Sequence, residues 1–298
     1  MFFEKFLGVK NVNGHKVVNL FGLKMKFRNL GSTLETLKSK LELIEEQNQD
    51  FYYDNLAKRI HPRVFGKYKD CNAGKSVVLF ACGPSAQYYE VVNDASHVAI
   101  NNAVLYDKIK FDQIFMHDDI AVSRMPEIMK NYDADKFCAY MPSPYCVKRS
   151  VRKDSIININ AKQFIVSDPY LFWADWDCPS VINPDITSGY LYDRGGGTVF
   201  SALQFILYTN PKKLYLVGCD CSSEGYFWGN EKFGSNNLLR NTIGLWKCAS
   251  QVIRTLYPDL EVYSINPVNL KGMFNDIYTQ SYVDAHPELK NENVKIYR

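Results

Sequence analysis

This chain contains several short apolar runs, most of which lead directly into glycine or polar residues. Helix-like stretches separate some of the runs. The runs are residues 76–82 (SVVLFAC), 98–100, 113–116, 136–141, 213–218 (KLYLVG) and 261–265. Apolar runs of this length are typical of strands that are buried on both faces of a sheet. Helical patterns follow at 199–208 and 242–256. The sequence therefore predicts an α/β fold, a Rossmann-like, mostly parallel sheet flanked by helices.

Composition excludes several classes of protein. With 298 residues of which 46% are hydrophobic, the chain has material for a large core and is not intrinsically disordered. No apolar run approaches the roughly 20 residues needed to cross a bilayer. A net charge of +3 is too small to indicate nucleic acid binding.

The basic excess is local. In the first 30 residues, six Lys and Arg oppose one Glu, so this stretch carries +5 and the remainder carries −2. HKVVNLFGLKMKFR predicts a hairpin around Phe21-Gly22. We expect either a small covering hairpin or a peripheral contact with an anionic membrane surface.

We divide the chain into three parts. Residues 1–31 form the basic N-terminal hairpin, and residues 32–74 form a connecting helical segment that begins with a Ser32/Glu35 capping box. Residues 75–298 form a single Rossmann-like domain. Within it, the irregular and aromatic-rich segment at about 142–193 is a lid insertion.

The eight cysteines form no CxxC pair and no zinc pattern with histidine, and the N-terminus has no signal-peptide h-region. We expect reduced thiols and a cytoplasmic location, peripheral on the inner face of the membrane if the hairpin binds lipid.

The predicted strands end in polar or glycine-containing tips. They carry Gly83-Pro84-Ser85, Asn101-Asn102, His117-Asp118-Asp119 and Asp220. Because ligands bind outside the carboxyl ends of strands in open α/β sheets, these tips predict one ligand crevice. Gly83, Pro84 and Ser85 form either a tight turn with an N-cap or a phosphate-binding turn.

A second glycine site precedes the strongest helix pattern, at Arg194-Gly195-Gly196-Gly197-Thr198. Glycines before a helix leave N–H donors unhindered, and Arg194 adds a fork of donors for a phosphate or carboxylate. The alternative is a flexible connecting loop.

Other residues have two interpretations each. Asp118 and Asp119 could hold Mg²⁺, although their spacing is not DxD. His117 is a base, a substrate contact or a structural residue. Asp220 binds a ribose hydroxyl or caps the loop that follows it. Tyr226, Phe227 and Trp228 line a nucleotide or sugar pocket or belong to the core.

In order along the chain, KSVVLFACGPS, VAINNA, RGGGTVFSALQFILY, KKLYLVGCDCS and EVYSINPVNLKGMF resemble the bacterial sialyltransferases of glycosyltransferase family 42. The resemblance spans roughly residues 75–275. A more distant similarity, in the Gly-Pro-Ser turn and a strand ending in G-x-D, is to the 6-hydroxymethylpterin diphosphokinase-like family.

The first resemblance implies a GT-A-like single nucleotide-sugar-binding domain with a small lid. It also implies that the enzyme transfers a sugar from a CMP-activated donor without a metal or another cofactor. Asn102 matches an asparagine that touches the nucleotide sugar. Gly197 and Thr198 match residues that cradle the nucleotide, after Arg194. Tyr226 lies near the place of a phosphate-binding tyrosine.

The chain departs from the family at several positions. Cys82 replaces the asparagine of the first turn, His117 replaces the asparagine at the third strand end, and Ser222 falls near the first phosphate-binding tyrosine. The family's histidine base falls around Arg240-Asn241, where no histidine occurs. We therefore expect His117 or Asp118 to take the acceptor proton, with Arg194 as the third catalytic residue.

We expect a sialyltransferase-like glycosyltransferase that acts on a cell-surface glycan or lipopolysaccharide acceptor. The alternatives are a Mg²⁺-dependent diphosphokinase-like enzyme, with Asp118 and Asp119 as metal ligands, and a non-catalytic nucleotide-binding protein. The sequence leaves open whether the chain forms a homo-oligomer.

Overall fold

The computed structural model describes residues 7–12, 15–20, 23–27, 37, 40, 51–141, 151–166, 181–192, 197–229 and 236–297. The chain forms two compact units, Met1–Phe51 and Tyr52–Arg298. The boundary lies inside the segment 32–74 that the sequence analysis assigned to a connecting helix. Residues 52–74 thus belong to the larger unit, and Phe65 is fully buried in its core.

The smaller unit contains a three-stranded antiparallel sheet. Its strands are β1 (Leu7–Val12), β2 (His15–Leu20) and β3 (Leu23–Phe27), in the order β1-β2-β3. β2 and β3 are the two strands of the predicted hairpin, and β1 adds a third that the sequence analysis did not assign. In the sheet, Val18 pairs with Val9 on one side and Met25 on the other, and Val18 is buried.

The larger unit is built on an eight-stranded sheet. Its strands are β4 (Ser76–Phe80), β5 (Ala95–Ile100), β6 (Gln113–Met116), β7 (Asp135–Tyr140), β8 (Lys162–Ile165), β9 (Lys213–Val217), β10 (Glu261–Ile265) and β11 (Asn275–Ile277). The order is β11-β10-β9-β4-β5-β6-β7-β8, and every pair is parallel. The expected α/β fold with a mostly parallel sheet is confirmed.

Helices connect the strands. They are α1 (helical residues 51–65), α2 (Asp119–Ser123), α3 (Pro126–Asn131), α4 (Lys153–Asn158), α5 (Thr198–Tyr208), α6 (Asn236–Leu256) and α7 (Gln280–Ala285). Short 3-10 helices occur at Gly66–Tyr68, Pro84–Tyr88, Asn101–Leu105 and Pro287–Asn291.

Two hydrophobic cores lie on opposite faces of the sheet. Along β4, Val77 and Leu79 belong to one core, and Val78 and Phe80 to the other, as expected from the two-residue period of a strand. The first core includes α5, whose residues are buried at ten of eleven positions. This near-complete burial explains why residues 199–208 are apolar on every side rather than along one stripe.

The segment expected to be an irregular lid contains regular structure. Within 142–193, the described residues include α4 and β8, and β8 is the edge strand of the main sheet beside β7. The expectation that the whole of 142–193 is irregular is therefore wrong. A four-residue strand such as KQFI is too short for its periodicity to stand out in the sequence.

His61 on α1 holds the edge of the sheet in place. Its Nδ1 lies 2.7 Å from the carbonyl oxygen of Ile186 and 2.9 Å from that of Gly189, and its Nε2 accepts a hydrogen bond from the Ile165 backbone N–H at 2.8 Å. These partners require the neutral ring with the proton on Nδ1. Burial lowers the pKa of His61 to about 4.

None of the helices among the described residues combines the length and apolar character needed to span a bilayer.

The described cysteines differ in oxidation state. Cys248 is disulfide-bonded, and the free thiols are Cys71, Cys82, Cys138, Cys219 and Cys221. The expectation that all thiols are reduced is wrong at Cys248.

The neutral state of His61 predicts a pH-dependent stability. Because the folded pKa of about 4 lies below the unfolded value of 6.5, the contribution is present above pH 6.5 and is lost as the pH falls toward 4. The full difference is about 3 kcal/mol. In His61→Asn, the stability gap to the wild type should be largest at pH 7 and should narrow toward pH 4.5, measured by urea unfolding.

His97 also has a pKa lowered by burial, so the wild-type curve alone does not isolate His61. The difference between wild type and variant does, because His97 is present in both. A gap that stays constant between pH 7 and pH 4.5 would show that His61 does not carry this dependence.

Candidate active site

The parallel strands place their carboxyl ends along one edge of the sheet. From β4 the chain proceeds through β5 to β8 on one side, and it then returns to β9 on the other side of β4. The order of strands therefore reverses between β4 and β9. This reversal is the position at which open α/β sheets form a ligand crevice.

The buried carboxylate of Asp220 connects the end of β9 with the turn that follows β4. Ser85 donates its backbone N–H to Asp220 Oδ2 at 2.8 Å, and its hydroxyl donates to Asp220 Oδ1. Burial raises the pKa of Asp220, and the two hydrogen bonds from Ser85 oppose that rise. Asp220 thus stabilises the Pro84–Tyr88 turn, a contact that the sequence analysis did not predict. The ribose and phosphate roles of Asp220 and Ser85 stay predictions.

Gly83 is required here by space. Its φ of −64° suits any residue, but an added Cβ would lie 2.5 Å from Asp220 Cγ and 2.5 Å from the Gly218 carbonyl oxygen. Gly218 itself has φ +63°, which favours glycine, and its own Cβ would meet the Ala81 carbonyl oxygen at 2.7 Å. The two glycines therefore allow the close approach of the two strand ends.

The amino terminus of α5 lies at the ends of β5 and β6. Gly197, with φ +75°, is its N-cap residue, and Thr198 Oγ1 donates to Asn101 Oδ1 at 3.2 Å. One turn later, Ser201 Oγ lies 2.9 Å from His117 Nε2. The structure thus places the start of α5, with Gly197 and Thr198, beside Asn101 and one turn from the contact with His117. Arg194 and Gly196 lie outside the described residues.

His117 is buried between α5 and β8. It is only 4% exposed, and its ring centroid lies 5.9 Å from that of Phe164. Asp118, the next residue, is half-buried. The Ser201 contact shows that His117 Nε2 has a partner inside the protein. The sequence analysis missed this partner because Ser201 is 84 residues away, within a mostly apolar helix.

Asp119 has several partners inside the protein. Its carboxylate accepts from Arg152 Nε at 2.9 Å, from the Arg152 backbone N–H at 3.2 Å and from Ser155 Oγ at 3.1 Å. These contacts join the start of α2 to the start of α4. Among the described residues, no group of three or more His, Cys, Asp or Glu side chains could hold a metal ion.

Cys82 connects the end of β4 with the turn after β5. Its Sγ donates to the Ile100 carbonyl oxygen at 3.4 Å, and the backbone N–H groups of Asn102 and Ala103 point at the sulfur. Burial raises the pKa of Cys82 to about 12, so the thiol stays neutral. Asn102 is 7% exposed at this turn. Asn101, its neighbour, has the left-handed φ of +46°.

The aromatic residues after β9 lie beside the end of β4. The Phe227 backbone N–H donates to the Cys82 carbonyl oxygen at 3.1 Å. Tyr226 and Trp228 stack on each other with ring centroids 4.5 Å apart and planes at 9°. All three residues are half-buried, and Phe227 packs against the core on one face of the sheet.

A second histidine occurs on this edge, which the sequence analysis did not place there. The His286 ring stacks on Tyr282 at 3.9 Å, and the pKa of Tyr282 is raised to about 12 by burial and by nearby Asp220. His286 Nδ1 also hydrogen-bonds the Tyr282 carbonyl oxygen at 2.8 Å. No sequence signal could place α7 here, because the preceding strand β11 has only three residues.

Comparisons with known proteins do not assign this chain to a family. No family model matches the chain, and no curated protein matches it. Among solved structures, the chain is similar to the sialyltransferase CstII from Campylobacter jejuni, solved with the substrate analogue CMP-3FNeuAc. The similarity has 15% identity and a TM-score of 0.35, over 64% of this chain and 80% of that chain. A likeness of this size carries no argument about activity.

The close approach at Gly83 gives a stability prediction. Gly83→Ala should destabilise the larger unit by about 1–3 kcal/mol, because the added methyl group overlaps Asp220 and the Gly218 carbonyl oxygen. Gly66→Ala is the matched control, since no heavy atom lies within 4 Å of its added Cβ. Thermal and urea unfolding measure both. Equal stability of the two variants would contradict the tight packing at the β4 and β9 ends.

Proposed function

We propose that this chain is a glycosyltransferase that binds a CMP-activated sugar donor at the carboxyl edge of the sheet, in the manner of a sialyltransferase. The observation that carries the proposal is the position of α5, whose amino terminus lies against the ends of β5 and β6. The N–H groups at a helix amino terminus and the helix dipole favour an anion, and a nucleotide phosphate supplies one.

Roles follow for the residues at this terminus. Gly197 and Thr198 would face the donor phosphate, and Arg194, which the sequence places three residues earlier, would add a charged fork of donors. Their charge would stabilise the negative charge that develops on the leaving phosphate. Asn102, on the neighbouring turn, would contact the donor. His117 or Asp118 would take the acceptor proton.

The contacts that Asp119 makes with Arg152 and Ser155 do not favour the alternative of a Mg²⁺-dependent diphosphokinase-like enzyme. That enzyme needs Asp118 and Asp119 to share a metal ion, whereas Asp119 is occupied by Arg152 and Ser155. We therefore expect transfer to continue in EDTA. A nucleotide-binding protein without catalysis would bind CMP and transfer nothing.

Nucleotide binding tests the donor site. CMP at about 100 times its Kd should raise the melting temperature by about 5 °C without Mg²⁺, and UDP, GDP and ATP should shift it less. Thr198→Val should weaken CMP binding about 3- to 10-fold, because it loses a hydroxyl hydrogen bond that positions the α5 terminus.

Thr255→Val is the matched control, since the Thr255 hydroxyl is exposed on α6 and donates to the Gln251 carbonyl oxygen of the same helix. The absence of any shift with CMP would refute the donor assignment. Transfer of a sugar from CMP-activated donors, assayed with and without EDTA, then separates a transferase from a metal-dependent or non-catalytic protein.

The acceptor is proposed to be a cell-surface glycan or lipopolysaccharide precursor at the inner face of the membrane. The support is the charge of the first 30 residues, which carry +5. Basic residues among apolar ones suit an anionic lipid surface, at about 1 kcal/mol for each Lys or Arg near it.

Charge reversal tests the membrane contact. Lys24→Glu with Lys26→Glu should reduce co-sedimentation with vesicles that contain anionic lipid, and added salt should reduce wild-type binding in the same way. Lys130→Glu with Lys153→Glu changes the net charge equally at two exposed sites of the larger unit and should leave binding near the wild-type level. Unchanged sedimentation of the first variant would remove this proposal.

A further inference from the structure

A turn at residues 226–229 lies beside the end of β4. The backbones of Tyr226 and Gly229 exchange two hydrogen bonds, at 3.2 Å and 3.1 Å. Between them, the Phe227 ring packs edge-on against Phe80 at 6.2 Å and Tyr106 at 5.7 Å. The turn is therefore fixed both by its own backbone and by a ring anchored in the core.

The rings on either side of Phe227 form a stacked pair. Tyr226 and Trp228 have centroids 4.5 Å apart and nearly parallel planes, and the Phe227 ring meets Trp228 edge-on at 4.8 Å. Both rings of the pair are half-buried. Because large aromatic rings contribute most when they are fully packed, a rigid pair left partly open at a ligand-binding edge is suited to packing against a ligand.

A short series of contacts connects this pair with the proposed phosphate site. The Phe227 N–H bonds the Cys82 carbonyl oxygen, the Cys82 thiol bonds the turn after β5, and Asn101 in that turn bonds Thr198. The pair and the α5 amino terminus therefore flank neighbouring strand ends, β4 and β5, on the same edge. A nucleotide has its planar base and its phosphate separated by one ribose, which suits two adjacent subsites.

We propose that the Tyr226–Trp228 pair is the nucleobase subsite, on which the base of a nucleotide stacks while its phosphate lies at the amino terminus of α5. This inference rests on the proposed binding of a nucleotide donor. It gives Tyr226 a stacking role in place of the phosphate-binding role that the resemblance implies, and it narrows the pocket-lining alternative for Tyr226 and Trp228 to the nucleobase. Stacking depends on the π-face that every base has, so the subsite supplies affinity for the base more than discrimination between bases.

Calorimetric titration with two ligands tests the subsite. CMP has a base and a phosphate, whereas ribose 5-phosphate has the phosphate and no base. Trp228→Leu should weaken CMP binding about 5- to 100-fold, the range that corresponds to the loss of one stacked base, and should leave ribose 5-phosphate binding within about 2-fold of the wild type. Trp228→Phe, which keeps an aromatic face, should retain most of the CMP affinity.

Tyr52→Leu is the matched control, because Tyr52 is 59% exposed on α1 and contacts only its neighbour Tyr53 among the rings of the described residues. Circular dichroism and melting temperature verify that each variant folds. If Trp228→Leu fails to fold, Tyr226→Leu supplies the same comparison from the other ring, and CMP affinity equal to that of the wild type in this variant overturns the subsite.

The outcomes separate this inference from the proposed function. Equal CMP affinity in wild type and Trp228→Leu overturns the base subsite, whatever the transfer assay shows. Base-dependent loss of affinity in a protein that transfers no sugar supports the subsite and removes the transferase. Equal weakening of CMP and ribose 5-phosphate overturns the subsite, because the residue then acts on the phosphate or on the fold. A wild type that binds no nucleotide overturns both.

Discussion

The buried carboxylate of Asp220 is the contact on which the carboxyl edge of the main sheet depends. It lies where the strand order reverses, and it holds the turn after β4 through both the backbone N–H and the hydroxyl of Ser85. Burying a carboxylate without hydrogen-bond donors would cost folding free energy, so the buried position of Asp220 depends on the two hydrogen bonds from Ser85. Gly83 and Gly218 make the approach possible, since a methyl group at either position would overlap neighbouring atoms.

The position of the β4 end then determines the position of its neighbours. The Cys82 carbonyl oxygen holds the aromatic turn through Phe227, and the Cys82 thiol holds the turn after β5. That turn contacts Thr198 at the start of α5. The polar groups along the edge are thus oriented by one another before any ligand arrives, which lowers the reorganisation that binding and charge stabilisation would require.

Local sequence patterns located the central strands well, because each is an apolar run with a clear end. β6 and β10 begin and end where the sequence predicts, and α5 begins one residue earlier than expected. β8 and β11 were missed since three or four residues carry no periodic signal, and they became strands by pairing with β7 and β10. The candidate tips at Ser85, Asn102, His117 and Asp220 do share one edge, as the parallel sheet requires.

The partners of those tips could not be predicted. Asp119 binds Arg152, 33 residues away, and His117 binds Ser201, 84 residues away. By itself, the sequence determined the fold class, the strand ends at which polar residues occur and the concentration of basic charge in the first 30 residues, because these depend on composition and local period. Only the tertiary structure decided which polar groups satisfy one another and which remain at the edge, because hydrogen bonds between distant segments depend on strand order and packing.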